Sequence, residues 1–391
     1  MKFLNLKRIT VLIFTFISVI KIFARSFVKF RNNQSVKFIF FYFPVKVYQE
    51  NIIELANLLN KKPNIFIYII YNSFTSNELK LKKNSLFIDF GYLRFIPFVD
   101  FLLSKINFLI SSYVNYIFLP NAKNIYISHD IYDAPMVNKN IEKKLFLQFS
   151  RLDYIFVASD FLKNYYENQL RKYLKFKTNN KVEIINTGYL KLDHVSNKLQ
   201  KINNAEFIIL IAPTASNHYK NINLSSYLLK LIHFLIKNNY KIIYRPHPMD
   251  LTKKGNNLLI QNIIEKFKNF TNFTFDTTTS YLDSYLKSEV LITDFSGTAY
   301  TYAFSKEKPV IFYSNNKDYK IINDLKNLYY FKDRNKVGYI VDNFNDLNKK
   351  LKIIKKNSNI LKVQIKKIRK ERIEHFGNSL NITKKQIENL L

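Results

Sequence analysis

Apolar and polar positions along the chain fall into two alternating patterns. Short runs rich in Ile, Val, Phe and Tyr, often apolar throughout, occur at 36–42, 65–71, 124–128, 154–158 and 182–186. A second set occurs at 207–212, 241–244, 272–275, 290–293 and 310–313. A strand that is apolar on both faces must be covered by helices on both sides, so these runs read as strands of parallel sheets. Between them lie longer stretches of helical character at 141–152, 162–173, 224–238, 258–267 and 281–287. The alternation predicts an α/β fold. The polar stretch 197–204 separates the two sets of strands and is the expected domain boundary. Two such domains in series predict a cleft between them, with ligands at the carboxyl ends of the strands.

The N-terminal pattern is different. Glu50 is the first acidic residue, whereas Lys2, Lys7, Arg8, Lys21, Arg25, Lys29, Arg31, Lys37 and Lys46 precede it. The apolar run 9–20 is shorter than the ~20 residues a spanning helix needs, and no small-residue cleavage site follows it. Wound as a helix, Lys7, Thr10, Ser18, Lys21, Arg25 and Lys29 fall on one side, with Leu12, Phe16, Ile20, Phe23, Phe27 and Phe30 on the other. This predicts an amphipathic anchor over residues 1–31, lying in an anionic leaflet and keeping the remainder cytoplasmic. A short spanning helix with Lys21 snorkelling and an ordinary buried helix use the same residues. As a separate anchor, residues 1–31 would be removable with the fold left intact. A second basic segment, 349–372, carries eleven Lys or Arg against Glu371 alone, with Ile353, Ile354, Leu361, Ile365 and Ile368 as its packing stripe. Its basic side suits either a solvated helix face or a membrane.

Composition narrows the classes. The 391 residues suit two domains, and 47% hydrophobic content excludes global disorder. The absence of Cys removes disulfides, thiolate metal sites and cysteine nucleophiles. A formal net charge of +32 calls for an anionic partner, although an abundance of Lys, Asn, Ile, Phe and Tyr without Trp is also how an AT-rich genome biases any protein. Nucleic-acid binding finds little support, because the 27 Tyr and 36 Phe sit mainly in core-like runs and no RRM or KH signature is present. No G-x-G-x-x-G, Walker A, H-E-x-x-H or G-x-S-x-G motif occurs, so the usual dinucleotide enzymes, P-loop NTPases, zincins and serine hydrolases lose most of their support.

Three strand ends carry candidate chemistry. The run at 241–244 leads into Arg245-Pro-His247-Pro, where two prolines stiffen the loop and Arg245 and His247 offer donors for phosphate. The run at 290–293 ends at Asp294-Phe-Ser296-Gly297-Thr298. A helix following that turn would present free N–H groups, Gly297 would let an anion approach, and two hydroxyls would add donors; plain helix capping explains the same residue types. The run at 124–128 ends at Ser128-His129-Asp130, which places an imidazole suited to proton removal, with Asp130 or Asp133 to orient it. A carboxylate beside His129 is expected to raise its pKa. His194, His218, His233 and His375 have weaker claims. No His and carboxylate set has metal-ligand spacing, so neither a metal nor a cofactor is expected.

Together these runs resemble the CDP-glycerol glycerophosphotransferase family of teichoic-acid and capsule polymer enzymes. The resemblance rests on Arg245-Pro-His-Pro, Ile292-Thr-Asp-Phe-Ser-Gly and Lys308-Pro-Val-Ile-Phe-Tyr313. It extends to Thr187-Gly188-Tyr-Leu-Lys191-Leu-Asp193, Ala212-Pro-Thr214 and Arg372-Ile-Glu-His-Phe-Gly-Asn378, so that it covers roughly 126–378. It implies a GT-B fold with a membrane-associated helix (1–31), an acceptor domain (32–200), a nucleotide-donor domain (201–345) and C-terminal helices (346–391) that cross back to the first domain. It implies transfer of glycerol phosphate or a related phospho-polyol from a CDP-activated donor to a hydroxyl of a polysaccharide or lipid-linked acceptor, without a metal, at the cytoplasmic face of a bacterial membrane. His129 and Asp130 are then the catalytic candidates. Arg245, His247, Asp294, Ser296, Gly297 and Thr298 are the donor and phosphate ligands, supported by Gly188, Lys191, Asp193 and Thr214. The chain departs from the family at Asp130, where Gly is usual, at Ala215 and Ser216, where an aromatic and Arg are usual, and at Lys191, where Arg is usual. A GT-B glycosyltransferase using a nucleotide sugar would need the same anion-binding parts.

Overall fold

The computed structural model describes residues 6–43, 49–71, 85–113, 118–132, 139–174, 182–199, 206–216, 223–252, 257–278, 280–313 and 329–391. Among these residues, thirteen strands form two sheets, every pairing parallel. The chain divides into two compact units. The first is Met1–His129, Lys143–Lys191 and Glu374–Leu391; the second is Asp130–Glu142 and Leu192–Ile373.

The first unit holds β1 (Lys37–Phe43), β2 (Ile65–Tyr71), β3 (Ser85–Phe87), β4 (Ile106–Ser111), β5 (Lys123–Ile127), β6 (Tyr154–Val157) and β7 (Glu183–Asn186), in the order β3-β2-β1-β4-β5-β6-β7. The five expected runs are all strands. β3 and β4 were not expected: β3 has three residues, and β4 carries Asn107 within a short apolar run that directly follows Ser104 and Lys105. Asn107 in β4 accepts a hydrogen bond from the Phe38 backbone N–H (2.8 Å), at the point where the β1–β4 register shifts.

The second unit holds β8 (Ile208–Ile211), β9 (Lys241–Tyr244), β10 (Phe273–Phe275), β11 (Val290–Thr293), β12 (Val310–Tyr313) and β13 (Gly338–Val341), in the order β10-β9-β8-β11-β12-β13. This is the doubly wound order, with its switch point between β8 and β11. Only the short β13 was not expected. The helix Leu228–Lys237 covers one face, burying Leu231, Ile232, Leu235 and Ile236 against Ile209, Ile211 and Ile242.

The boundaries differ from the expected ones. The chain crosses between units at Lys191/Leu192, within the helix Leu190–Leu199, so the polar stretch 197–204 begins in a helical last turn. Residues 130–142 go with the second unit because Ile131 is wholly buried and the Tyr132 hydroxyl donates to Asp333 at 2.5 Å. Of the C-terminal region, Glu374–Leu391 belongs to the first unit. The basic helices Phe344–Lys356 and Lys362–Arg372 belong to the second. Leu347, Leu351 and Ile354 lie in that unit's core, and Arg369 reaches the Phe304 carbonyl and Glu307. Ile353, expected in the packing stripe, is 41% exposed.

The N-terminal helix Leu6–Asn32 is longer than its apolar run, and the stretch Arg8–Asn32 is long and apolar enough to cross a membrane. It also belongs to the first unit's core. Thr15, Ser18, Val19, Ile22 and Ser26 are buried at helical spacing, Thr15 accepts from the Asp89 N–H (3.1 Å), and the Ser26 hydroxyl bonds to that of Tyr68 (2.9 Å). Val19 and Ile22 alone remove two aliphatic side chains from water, ~1.5–3 kcal/mol each. The described part of this segment, from residue 6, therefore packs on the sheet, which its removal would uncover. The small polar residues face the core, whereas Ile9, Ile13, Phe16, Ile17 and Ile20 face outward. A wheel that sorts only by polarity assigns those faces the other way round.

Candidate active site

The second unit gathers its candidates at the carboxyl ends of β8 to β11. Arg245 follows β9, its backbone N–H bonded to the Ile211 carbonyl, so the guanidinium starts beside the switch point. One terminal nitrogen donates to Asp276 (2.7 Å) and to the Thr278 hydroxyl (3.3 Å), and the other to the Thr278 carbonyl (2.8 Å). Burial works to raise the Asp276 pKa, but hydrogen bonds from Ser284, Thr278 and Arg245 outweigh it and hold the carboxyl below its ordinary value. The fork of Arg245 is thus oriented by a fixed anion at the end of the neighbouring strand β10. His247 Nδ1 accepts from the Met249 N–H (3.2 Å), which puts the proton of the neutral ring on Nε2. Pro248 begins the helix Pro248–Thr252, a position where the missing N–H costs nothing.

Asp294 is completely enclosed and acts as an internal brace. Its carboxylate accepts from the backbone N–H groups of Thr214 (2.9 Å), Phe295 (2.7 Å) and Leu224 (2.7 Å). Burial raises its pKa, and those same bonds oppose the rise. In this way the Ala212-Pro-Thr214 turn after β8 is fastened to the turn after β11, and the Thr293 hydroxyl adds a bond to the Ala212 carbonyl (2.6 Å). Asp250 does similar work on Ser216, accepting from its N–H and hydroxyl at 2.8–3.1 Å. Thr214 itself is buried.

The turn Ser296-Gly297-Thr298 leads into the helix Thr298–Lys306, with Gly297 as N-cap. Tyr330 donates to the Ser296 carbonyl (2.9 Å), and the Tyr285 hydroxyl bonds to that of Thr298. Burial raises the Tyr285 pKa, and the charges of Arg245 and Asp130 both act on it, so Arg245, Asp130 and Thr298 share one neighbourhood. A Cβ on Gly297 would overlap the carboxylate of Asp130. The anion that the glycine admits to the backbone is the chain's own Asp130. Behind the turn, Arg334 is buried among the rings of Phe295, Phe312, Tyr330 and Phe331, at 4.3–5.3 Å from their centroids.

In the first unit, His129 follows β5. Its Nδ1 shares a hydrogen bond with the Tyr126 hydroxyl (2.8 Å), and its carbonyl accepts from the Tyr189 hydroxyl (2.8 Å). Tyr189 is held through its N–H by the Ser379 hydroxyl (3.0 Å). Gly188 has φ +82, and a Cβ there would overlap that same hydroxyl, so Thr187-Gly188-Tyr189 locks the backbone of His129 in place. Desolvation, reinforced by the positive charge of Lys191, pushes the His129 pKa down to about 3. The expected rise from Asp130 does not occur, because Asp130 turns to Gly297 and the Ile131 N–H (2.7 Å). The ring is neutral at neutral pH. Asp193 is buried in the second unit. Asp133 and His218 lie outside the described residues.

Sequence reasoning missed Asp250, Asp276, Tyr126, Tyr189, Tyr285, Tyr330 and Arg334. Asp276 was within reach of the strand-end rule, since it directly follows β10. Asp250 lies three residues beyond His247. Tyr126 lies three residues before His129 on β5, whereas Tyr189, Tyr285, Tyr330 and Arg334 carry no local signal because they reach the site only through tertiary packing.

The order of the second sheet, with its switch-point turn, and the parallel first sheet define an α/β protein of GT-B-like fold. Residues 114–378 match the family CDP-glycerol:poly(glycerophosphate) glycerophosphotransferase, and the chain belongs to that family of transferases. It is 34% identical over 150 residues to the minor teichoic acid biosynthesis protein GgaB of Bacillus subtilis (strain 168). That match covers 38% of this chain but only 14% of the relative. Among solved structures it is similar to the wall teichoic acid polymerase TagF soaked with CDPG. The TM-score is 0.61 at 16% identity, covering 95% of this chain and 93% of the other. It is also similar to S. aureus MnaA with UDP, with a TM-score of 0.60 at 13% identity over 91% and 98%. At these identities the likeness to both structures is one of fold.

Proposed function

We propose that the chain transfers glycerol phosphate, or a closely related phospho-polyol, from a CDP-activated donor to a hydroxyl of a polysaccharide or lipid-linked acceptor. The observation that carries this reading is the placement of Arg245 after β9 and of Ser296 and Thr298 after β11, at the carboxyl ends of the two strands that flank β8, in a chain of this family. Arg245, His247, the Ser296 and Thr298 hydroxyls and the N–H groups of Gly297 and Thr298 bind the pyrophosphate. Asp276 holds Arg245 in position, and Asp294 and Asp250 brace the neighbouring turns. An acceptor oxygen attacks the phosphorus that bears the polyol and forms a new P–O bond. The bond from that phosphorus to the bridging oxygen breaks, and CMP leaves with that oxygen. His129, neutral and oriented by Tyr126, takes the hydroxyl proton on Nε2. Charge developing on the leaving phosphate is stabilised by Arg245 and the helix terminus, which is where a displacement at phosphorus gains most.

The reading places the enzyme at the cytoplasmic face of the cell membrane. The helix exposes Ile9, Ile13, Phe16, Ile17, Ile20 and Phe27, and in the same unit Phe95, Phe98 and Phe101 are exposed, Phe98 by 82%. Phe101 stacks near Phe23 of the helix (5.5 Å), joining the two surfaces into one patch beside Arg25, Lys29 and Arg94. Apolar area next to basic side chains suits an anionic bilayer.

Incubating the purified protein with membranes, a panel of CDP-polyols and a panel of UDP-sugars tests the reaction. Release of CMP from CDP-glycerol, with the UDP-sugars untouched, is expected. Turnover of a UDP-sugar alone would establish the glycosyltransferase reading instead.

A further inference from the structure

We propose that Asp130 is an internal competitor for the donor's phosphate: its carboxylate takes the same ground at the N-terminus of the helix Thr298–Lys306, and donor binding displaces it. The proposal rests on the phosphate role given above to Ser296, Gly297 and Thr298.

Gly297 is the first observation. The Asp130 carboxylate lies so close over its Cα that any side chain at 297 would collide with both carboxylate oxygens. That is the approach a phosphate oxygen makes to a helix N-terminus, where free N–H groups and the dipole favour negative charge. The second observation is the fastening of Asp130. It is 8% exposed, Ile131 next to it is wholly buried, and Tyr132 packs edge-on to Tyr300 (4.8 Å) while its hydroxyl bonds to Asp333. Asp333 is in turn held by Arg372 at 2.8 and 3.2 Å and by Lys336 at 2.9 Å. The carboxylate is therefore delivered to the helix by a built strap and is not a stray surface group. The third observation is Tyr285, whose hydroxyl binds Thr298 and feels the charges of both Arg245 and Asp130. The three groups that a pyrophosphate would meet are together, and one of them is an anion.

Two anions cannot share one helix terminus without strong repulsion, so the resident one weakens binding of the other. Neutralising Asp130 should tighten anion binding roughly tenfold or more, with no effect on an uncharged ligand. The experiment is calorimetry on the full chain with inorganic pyrophosphate, CDP, UDP and cytidine, comparing wild type with Asp130→Asn and Asp130→Gly. Tighter pyrophosphate and CDP binding in the variants, with cytidine unchanged, is the expected result. Unchanged or weaker pyrophosphate binding in both variants, an equal change for cytidine, or no pyrophosphate binding by any form would overturn the proposal. Should Asp130→Asn melt early, Asp130→Gly carries the comparison, since glycine removes the charge without adding bulk. A catalytic base at 130 would look different: turnover lost and pyrophosphate affinity unmoved, which also overturns the proposal. Failure of the CDP-donor reading shows separately, as UDP binding in place of CDP with the pyrophosphate arm unaffected.

Discussion

The carboxyl edges of the two sheets handle charge in opposite ways. In the second unit, Arg245 faces Asp276, Asp294 is bound by three backbone N–H groups, and Asp130 sits over a helix terminus. Each of these groups is fixed by a partner. In the first unit, the corresponding edge carries one imidazole set among Tyr126, Tyr113 and Tyr189, and desolvation with Lys191 keeps it uncharged. The difference separates two tasks. On the proposed function, a phosphate is held where fixed charges and dipoles are already oriented, and a proton is taken where a ring has been kept neutral.

The largest expected effect tests the second task. His129→Ala should lower turnover by about 10²–10⁴ while leaving donor affinity nearly intact, measured as CMP release and by calorimetry. Next comes the brace. Asp294→Ala leaves three buried N–H groups without their acceptor, and a loss of roughly 3–5 kcal/mol in denaturant unfolding is expected, together with loss of donor binding. A loss under 1 kcal/mol would show that water replaces the carboxylate. Ser296→Ala should weaken donor binding less, by about three- to tenfold, as one hydroxyl donor is removed.

The pH dependence sharpens the contrast. His129 has a folded pKa of about 3, below its ordinary 6.5, so its protonation is resisted in the folded state. The stability this contributes is present above pH 6.5 and is lost as pH falls toward 3. The same shift keeps the base active, so kcat/KM should show no acidic limb from His129 until about pH 4. A limb near pH 6.5 that disappears in His129→Ala would show an exposed, ordinary imidazole. The smallest effect concerns the patch. Ile13→Ser with Ile17→Ser should reduce sedimentation with anionic vesicles several-fold and leave the melting temperature within a few degrees, because both side chains point outward.

Much of this was legible in the chain. Ten runs apolar on both faces became ten strands, because parallel strands under helices leave no polar face to blur the signal. Arg245, His247, His129 and the Ser296-Gly297-Thr298 turn were singled out by one rule, that chemistry collects at strand ends, and each does follow a strand. β4 was lost because Asn107 interrupts its short apolar run, and the unit boundary was lost because a helix carries the chain across it. The docked face of the N-terminal helix was misjudged because small polar residues, Thr15, Ser18 and Ser26, permit close packing while larger apolar ones point away. The direction of the His129 shift was missed for a related reason. Sequence adjacency places Asp130 beside it, but successive side chains at a strand end diverge, and Asp130 goes to Gly297.

The division of labour between the two edges is tested most directly by titrating CDP-glycerol into Arg245→Ala and His129→Ala and following CMP release from the same samples. Binding lost in the first variant, and binding retained with release abolished in the second, is the predicted result. Equal loss of donor affinity in both, or CMP release by His129→Ala at more than a tenth of the wild-type rate, would contradict it.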